Sequence, residues 1–380
     1  MTAEIILTNA ILVLPEEALF GTLVIRSGRI AEIQPGRSHA PTARDLGGDH
    51  LIPGIVDVHT DNLERQVQPR QNARWPSRSA MIAHDAQCAA AGVTTVLDAL
   101  CLGDLGFDQG RGQTFLDGVA DLDALADTGV LRSEHFLHLR CELPAADMVP
   151  AMEPVADHPR VRMVSLMDHS PGVGQYRDIE RYVAMRRKQT QMTVEQVQDR
   201  IAFLLDQRAR LRDPQRAWLL ERIRHRDLPV ASHDDETPEE VRRNLADGIR
   251  ISEFPVTMLA AETARDAGVE VIAGAPNIVR GGSHSGNVSA VELVRAKAAD
   301  AFASDYVPAS MGEAAWRAVE EAAIALPQAV AMIAERPARM CRLDDRGRLA
   351  PGLRADLAQI RTVQGIPVVR RVWREGSRVA

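Results

Sequence analysis

Cysteine is scarce in this chain: Cys88, Cys101, Cys141 and Cys341 lie far apart, and no Cys-x-x-Cys pair occurs. That spacing argues against a disulfide framework and a thiolate zinc site, and it suits a reducing cytoplasm. Basic excess is absent too. A formal net charge of −7 argues against general nucleic-acid binding, which needs a basic face, so an anionic substrate would have to be met by local arginines. No membrane span, internal repeat or low-complexity tract is visible. The apolar start Ile5-Ile-Leu-Thr-Asn-Ala-Ile-Leu-Val-Leu14 has no basic leader, is interrupted by Thr8 and Asn9, and runs into Glu16 and Glu17. It reads as a strand, not a signal peptide.

What is there is 380 residues, 45% hydrophobic and 26% charged, enough to bury a large core in several domains or in one α/β barrel. Residues 1–50 and 345–380 alternate short β-prone runs with turns, as at Ser27-Gly28, and predict one small composite β-domain (a β-sandwich) built from both ends. Between them, 51–344 holds eight strand candidates, at 55–61, 94–99, 135–142, 161–169, 229–235, 248–255, 270–277 and 300–306, most followed by a helical segment. Eight such units predict a (β/α)8 TIM-type barrel with its active site at the C-terminal ends of the strands. Thr237-Pro-Glu-Glu240 marks one helix start, and Gly268 closes a helix begun near Thr257. The stretch from about 177 to 226 breaks the alternation. Val194, Val197, Ile201, Leu204 and Leu205 recur there at helical spacing behind a Thr193–Gln196 capping box, predicting a helical insert. Such an insert covers the barrel, joins subunits of a homo-oligomer, or closes as a lid.

The strand ends carry the chemistry. Leu51-Ile-Pro-Gly-Ile-Val-Asp-Val-His-Thr-Asp61 follows a Pro-Gly turn and presents His59 and Asp61 two residues apart, on one side of a strand. Glu142, His169, His233 and Asp305 end the third, fourth, fifth and eighth candidates. Three imidazoles and three carboxylates converging on one face suit borderline divalent cations such as zinc, manganese or iron(II). Two ions fit this set better than one, with Glu142 able to bridge them and Asp305 able to orient or deprotonate a water. Arg140 shares a strand face with Glu142 and is preferred over His138 as a site residue. His84 sits on a helix and packs or caps, while His39, His50, His158 and His225 lie in polar connections and read as surface.

A second constellation follows strand seven: Gly274-Ala-Pro-Asn-Ile-Val-Arg-Gly-Gly-Ser-His-Ser-Gly-Asn287. Gly281 and Gly282 let a ligand approach the backbone, Asn277, Ser283 and His284 offer polar groups, and Arg280 supplies a planar fork for phosphate oxygens. The plain alternative is a structural loop. With no Gly-Lys-Ser/Thr it is not a Walker loop. Arg65, Arg70, Arg74 and Arg78 either extend this phosphate site or form a solvated basic surface.

Six motifs take the reading further: His59-Thr-Asp-Asn-Leu-Glu64, Leu137-His-Leu-Arg-Cys-Glu-Leu-Pro144, Ser165-Leu-Met-Asp-His-Ser-Pro-Gly172, Ala231-Ser-His-Asp-Asp235, the 274–287 loop and Ser304-Asp-Tyr306. Together they closely resemble the PhnM family, the ribose 1-methylphosphonate 5-triphosphate diphosphatases of the carbon–phosphorus lyase pathway, within the amidohydrolase superfamily. The resemblance spans nearly the whole chain. It implies a barrel with a composite β-domain, a phosphorylated ribose phosphonate as substrate, pyrophosphate as product, and divalent metal cofactors. Most amidohydrolases carry His-x-His after strand one; His59-Thr-Asp61 puts an anion in that place, which hardens the site toward manganese or iron. The superfamily's bridging lysine has no evident counterpart, and Glu142 could serve instead. The competing reading is hydrolysis of a cyclic amide or N-acyl bond, for which the Arg280 loop would be superfluous.

Overall fold

Unbroken burial marks the central strands. All six residues of Ile55–Thr60 and all ten of Val93–Leu102 are buried, the pattern of parallel strands covered on both faces. The computed structural model describes residues 4–70, 73–106, 110–283 and 286–380. Within them the eight strands are Ile55–Thr60, Val93–Leu102, Glu134–Glu142, Val161–Met167, Val230–His233, Ile251–Glu253, Glu270–Gly274 and Ala301–Ala303, each paired in parallel with the next. A parallel bridge between Thr60 and Asp305 joins the first to the last and closes the ring. There the His59 carbonyl accepts from the Asp305 amide at 3.0 Å, and the Asp61 amide donates to the Asp305 carbonyl at 2.5 Å. Asp305 adopts a left-handed conformation (φ 55°) to make this turn, one that aspartate tolerates better than most residues.

Six of the eight strands stop sooner than the sequence predicts, and three of those stops set the place of site residues. The first ends at Thr60, so Asp61 caps the short helix Asn62–Val67. The fourth ends at Met167 and leaves His169 in the following loop. The seventh ends at Gly274 because Ala275–Val279 winds into a helical turn, which Pro276 at its start accommodates. Inside the ring Val56, Val58, Leu97, Phe136, Met163 and Ile272 pack together. Helices cover the outside.

A second sheet combines Ile5–Val13, Ala18–Arg26, Arg29–Pro35 and His50–Pro53 with Leu357–Val363, Ile366–Arg374 and Ser377–Arg378. His50–Pro53 joins the two chain ends, running parallel to the first strand and antiparallel to Leu357–Val363. His50 therefore sits within a strand, edge-on to Trp316 at 5.7 Å, and not in a polar connection. Leu7, Leu12, Leu23, Leu51, Leu357 and Trp373 form the core beneath.

The helix Val194–Ile223 opens at the Thr193–Gln196 capping box and runs for 30 residues. Its last turns, with Leu219 and Ile223, pack in the cluster that holds Leu137, Val161 and Val164. Insert and barrel helix are thus one element. The earlier part rests on the loops after strands two to four: Arg200 donates to the Leu105 carbonyl at 3.0 Å, Gln207 to Pro144 at 2.7 Å, and Arg208 and Arg212 share Asp168 Oδ2. Among the described residues no helix is long and apolar enough to cross a membrane.

Outside the ring, a polar chain runs between strands two and three and the helix Ser77–Ala90. Asn62 donates to His84 Nδ1 (2.9 Å), His84 Nε2 meets Asp98 Oδ1 (2.7 Å), and Asp98 Oδ2 meets His135 Nδ1 (2.9 Å). His135 Nε2 ends the chain on Asp85 (3.2 Å). His84, Asp98 and His135 are close enough to hold an ion, but each ring nitrogen already has a partner, so hydrogen bonding accounts for them. Burial alone would lower the His135 pKa; Asp98 and Asp85 outweigh it and lift it to about 9. A group raised in the folded state stabilises fully below its unfolded pKa of about 6.5 and loses that contribution as pH rises through the folded value. Denaturant unfolding of wild type and His135→Gln should accordingly differ most near pH 6, with the gap narrowing by about 3 kcal/mol above pH 9. A gap that does not change with pH would show that His135 folds uncharged.

Candidate active site

A cavity of about 340 Å³ opens at the C-terminal ends of the barrel strands, with Asp61, Arg140, His169, His233 and Asp305 on its walls. Its deepest anchor is Glu253, at the end of strand six and fully buried. Glu253 Oε1 lies 3.0 Å from His59 Nδ1, while Oε2 accepts from Ser165 at 2.6 Å. His138 Nε2 is 2.5 Å from the same serine oxygen. With Nδ1 committed to Glu253, His59 keeps Nε2 for the cavity, 3.6 Å from Asp61 Oδ1. This carboxylate-to-imidazole support is how proteins orient histidine ligands.

Two groups of ligand-type atoms result. His59, Asp61 and Asp305 come within 4.8 Å of one another, as do His169, His233 and Asp234. In the second group Glu142 holds His169 at both ends, accepting from its amide (2.8 Å) and meeting Nδ1 (2.6 Å). His169 Nε2 then faces Asp234 Oδ2 at 3.8 Å, with His233 Nδ1 at 3.4 Å from the same oxygen. His59 Nε2, His169 Nε2, His233 Nδ1 and Asp234 Oδ2 are all buried without a hydrogen-bond partner. Leaving such atoms unsatisfied costs about 1–3 kcal/mol each. Divalent cations would satisfy all four, so these residues fit such ions.

Charge shifts match that demand. Burial works to lower the His59 pKa, yet Glu253 and Asp61 raise it to about 10. Asp305 rises to about 6 through burial and the neighbouring Asp61. Asp61 itself stays well below the usual carboxylate range: burial opposes this, but Arg140, bonded to Oδ1 at 2.5 Å, and His59 prevail. Burial draws His138 down to about 4, the neutral form.

Of the residues singled out from sequence, His59, Asp61, His169, His233 and Asp305 are brought together around the cavity. Glu142 is close by, but both its oxygens are spent on His169, so it supports an imidazole in this arrangement and does not bridge two groups. Arg140 lines the cavity with its charge partnered by Asp61. Asn277 also lines it, yet its amide ties the loop ends together, accepting from Ala290 and donating to Val288. Arg280, Gly282 and Ser283 lie on the wall, with Gly281 beside them at φ 76°, a left-handed value that favours glycine. Arg280 has no carboxylate partner among the described residues. His284 falls outside those residues. Arg65, Arg74 and Arg78 turn elsewhere, to the Tyr306 carbonyl, Asp117 and Asp121.

Sequence reasoning missed Asp234, Glu253 and Arg111, the last of which also lines the cavity, and undervalued His138. Asp234 follows His233 directly and would face away in a regular strand; a left-handed backbone (φ 58°) turns it in. Glu253 did carry a signal, as a lone acid at the end of a strand candidate.

No family model matches the chain. It is 40% identical over 376 residues to alpha-D-ribose 1-methylphosphonate 5-triphosphate diphosphatase of Escherichia coli (strain K12), covering 98% of this chain and 100% of that protein. Among solved structures, N-acetyl-D-glucosamine-6-phosphate deacetylase from Mycobacterium smegmatis aligns with a TM-score of 0.66 at 18% identity, over 99% of this chain and 100% of the other. Dihydropyrimidinase from Brevibacillus agri NCHU1002 aligns at 0.65 and 12% identity, over 99% and 95%. At those identities the likeness is one of fold.

Removing a supporting carboxylate typically weakens metal affinity about 10- to 100-fold. Glu253→Gln should therefore lose bound metal to a competing chelator at concentrations the wild type survives, and His233→Ala should lose it more readily still. Wild-type retention in both, measured by elemental analysis after dialysis, would mean that neither group holds an ion.

Proposed function

Since the chain belongs to the alpha-D-ribose 1-methylphosphonate 5-triphosphate diphosphatase family, we propose that it hydrolyses that triphosphate to ribose 1-methylphosphonate 5-phosphate and pyrophosphate, in phosphonate catabolism. Its fold is the one amidohydrolases use. The observation that carries the reading is Arg280. A guanidinium with no carboxylate partner among the described residues, on the wall of a cavity already rich in carboxylates and imidazoles, is suited to a polyphosphate and is of no use to a neutral amide.

In this reading His59, Asp61 and Asp305 hold one divalent ion, and His169, His233 and Asp234 a second. Zinc, manganese and iron(II) all suit such nitrogen and oxygen donors. Bound there, the ions would acidify a water and draw charge from the phosphoryl oxygens. The chain's own residues do the rest. Glu253 and Glu142 fix the two imidazoles that face the cavity. Asp305 accepts the proton of the water whose oxygen bonds to the α-phosphorus. The bond from that phosphorus to the bridging oxygen breaks, and the oxygen leaves with pyrophosphate. Arg280 and the loop at 281–283 take up the charge that gathers on this leaving group.

Asp305→Asn should fold, because asparagine accepts the same left-handed backbone, and should keep much of its metal. Its turnover should fall about 10²- to 10⁴-fold, the usual loss on removing a general base. A turnover close to wild type would make Asp305 a ligand only. Phosphorus NMR of the wild-type reaction tests the activity directly: pyrophosphate should appear, and orthophosphate released in its place would overturn the reading. Arg280→Ala should lower kcat/KM on the triphosphate at least about tenfold, the worth of a charged hydrogen bond. Arg280→Lys should be impaired as well, since lysine keeps the charge and loses the fork. Wild-type efficiency in both variants would show that the loop does not grip phosphate.

A further inference from the structure

Arg111 has no part in the scheme so far. It opens the helix Arg111–Leu125 after strand two, and its side chain lines the same cavity as Arg280. Its only ion pair among the described residues is a loose one, 3.6 Å to Glu64, and its buried Nε has no hydrogen-bond partner. The first turn of its helix holds no acid to compete for it. Of the three cavity arginines, Arg140 is tied to Asp61, which leaves Arg111 and Arg280 to meet a ligand.

Their order round the rim carries the argument. Strand seven pairs with strand eight, and strand eight closes onto strand one, which pairs with strand two. Arg280, Asp305, His59 with Asp61, and Arg111 follow one another along that arc. The proposed substrate has the same order: leaving pyrophosphate, scissile α-phosphorus, ribose, and the methylphosphonate at the far end. A triphosphate carries several negative charges and calls for ions, Arg280 and loop donors together. A phosphonate ester has one ionised oxygen and suits a single guanidinium that Glu64 pairs only loosely.

We propose, on the strength of the diphosphatase reading, that Arg111 is the subsite for the methylphosphonate and sets the preference for substrates that carry it. The test compares ribose 1-methylphosphonate 5-triphosphate with plain ribose 5-triphosphate, which lacks that group. Wild type should favour the first, mainly through KM. In Arg111→Ala the ratio of kcat/KM between the two should fall at least about tenfold, with KM on the phosphonate substrate rising more than kcat falls. Arg111→Lys should lie between, and a thermal melt of each variant separates misfolding from lost contact. An unchanged ratio, or equal losses on both substrates in folded protein, overturns the assignment and leaves the diphosphatase reading intact. A wild type that releases pyrophosphate from neither substrate removes that reading and this proposal with it.

Discussion

The hydrogen bonds between the His59–Asp61 segment and Asp305 are what the molecule depends on most. Together with the Ser304 amide donating to Asp57, they join the eighth strand to the first, and they use the backbone of residues whose side chains line the cavity. An open parallel edge in the interior would leave several amides and carbonyls without partners. Closing the barrel and placing His59, Asp61 and Asp305 are therefore a single act of folding, and anything that loosens the seam also moves the site.

Around that seam the protein invests buried charge in orientation. Glu253, Ser165 and His138 occupy the barrel interior, where aliphatic side chains would pack more cheaply. In return, His59 has one tautomer and one direction. Glu142 does the same for His169 from the next layer up. The site is built on strands and on the first residues beyond them, with the loops supplying the wall toward solvent, which is where adaptable contacts belong.

The barrel was legible because parallel strands buried on both faces are written as short apolar runs, and eight of them stand out between helical segments. Strand ends were legible by the same token, since a polar residue closing an apolar run is conspicuous: His59, His233 and Asp305 announce themselves. What could not be read were departures from regular backbone. Left-handed turns at Asp234 and Asp305, the helical turn at Ala275–Val279 and the early stop at Met167 each redirect a side chain by local dihedrals that no spacing rule encodes. Arg111 was hidden for another reason. It begins a helix far from any strand end, and only the fold reveals that this helix points into the cavity.

The 30-residue helix Val194–Ile223 spans about 45 Å, with its far half buried in the scaffold and its near half spread over the loops of the mouth. An insertion spliced into a helix differs from one spliced into a loop, because it has a flexible joint on one side only. The cover over strands two to four is continuous with a barrel helix except near Pro214, whose missing amide hydrogen removes one helical hydrogen bond close to the join. Bending is thereby confined to one joint, and in hydrogen exchange the amides after Pro214 would open with the scaffold while those before it open first.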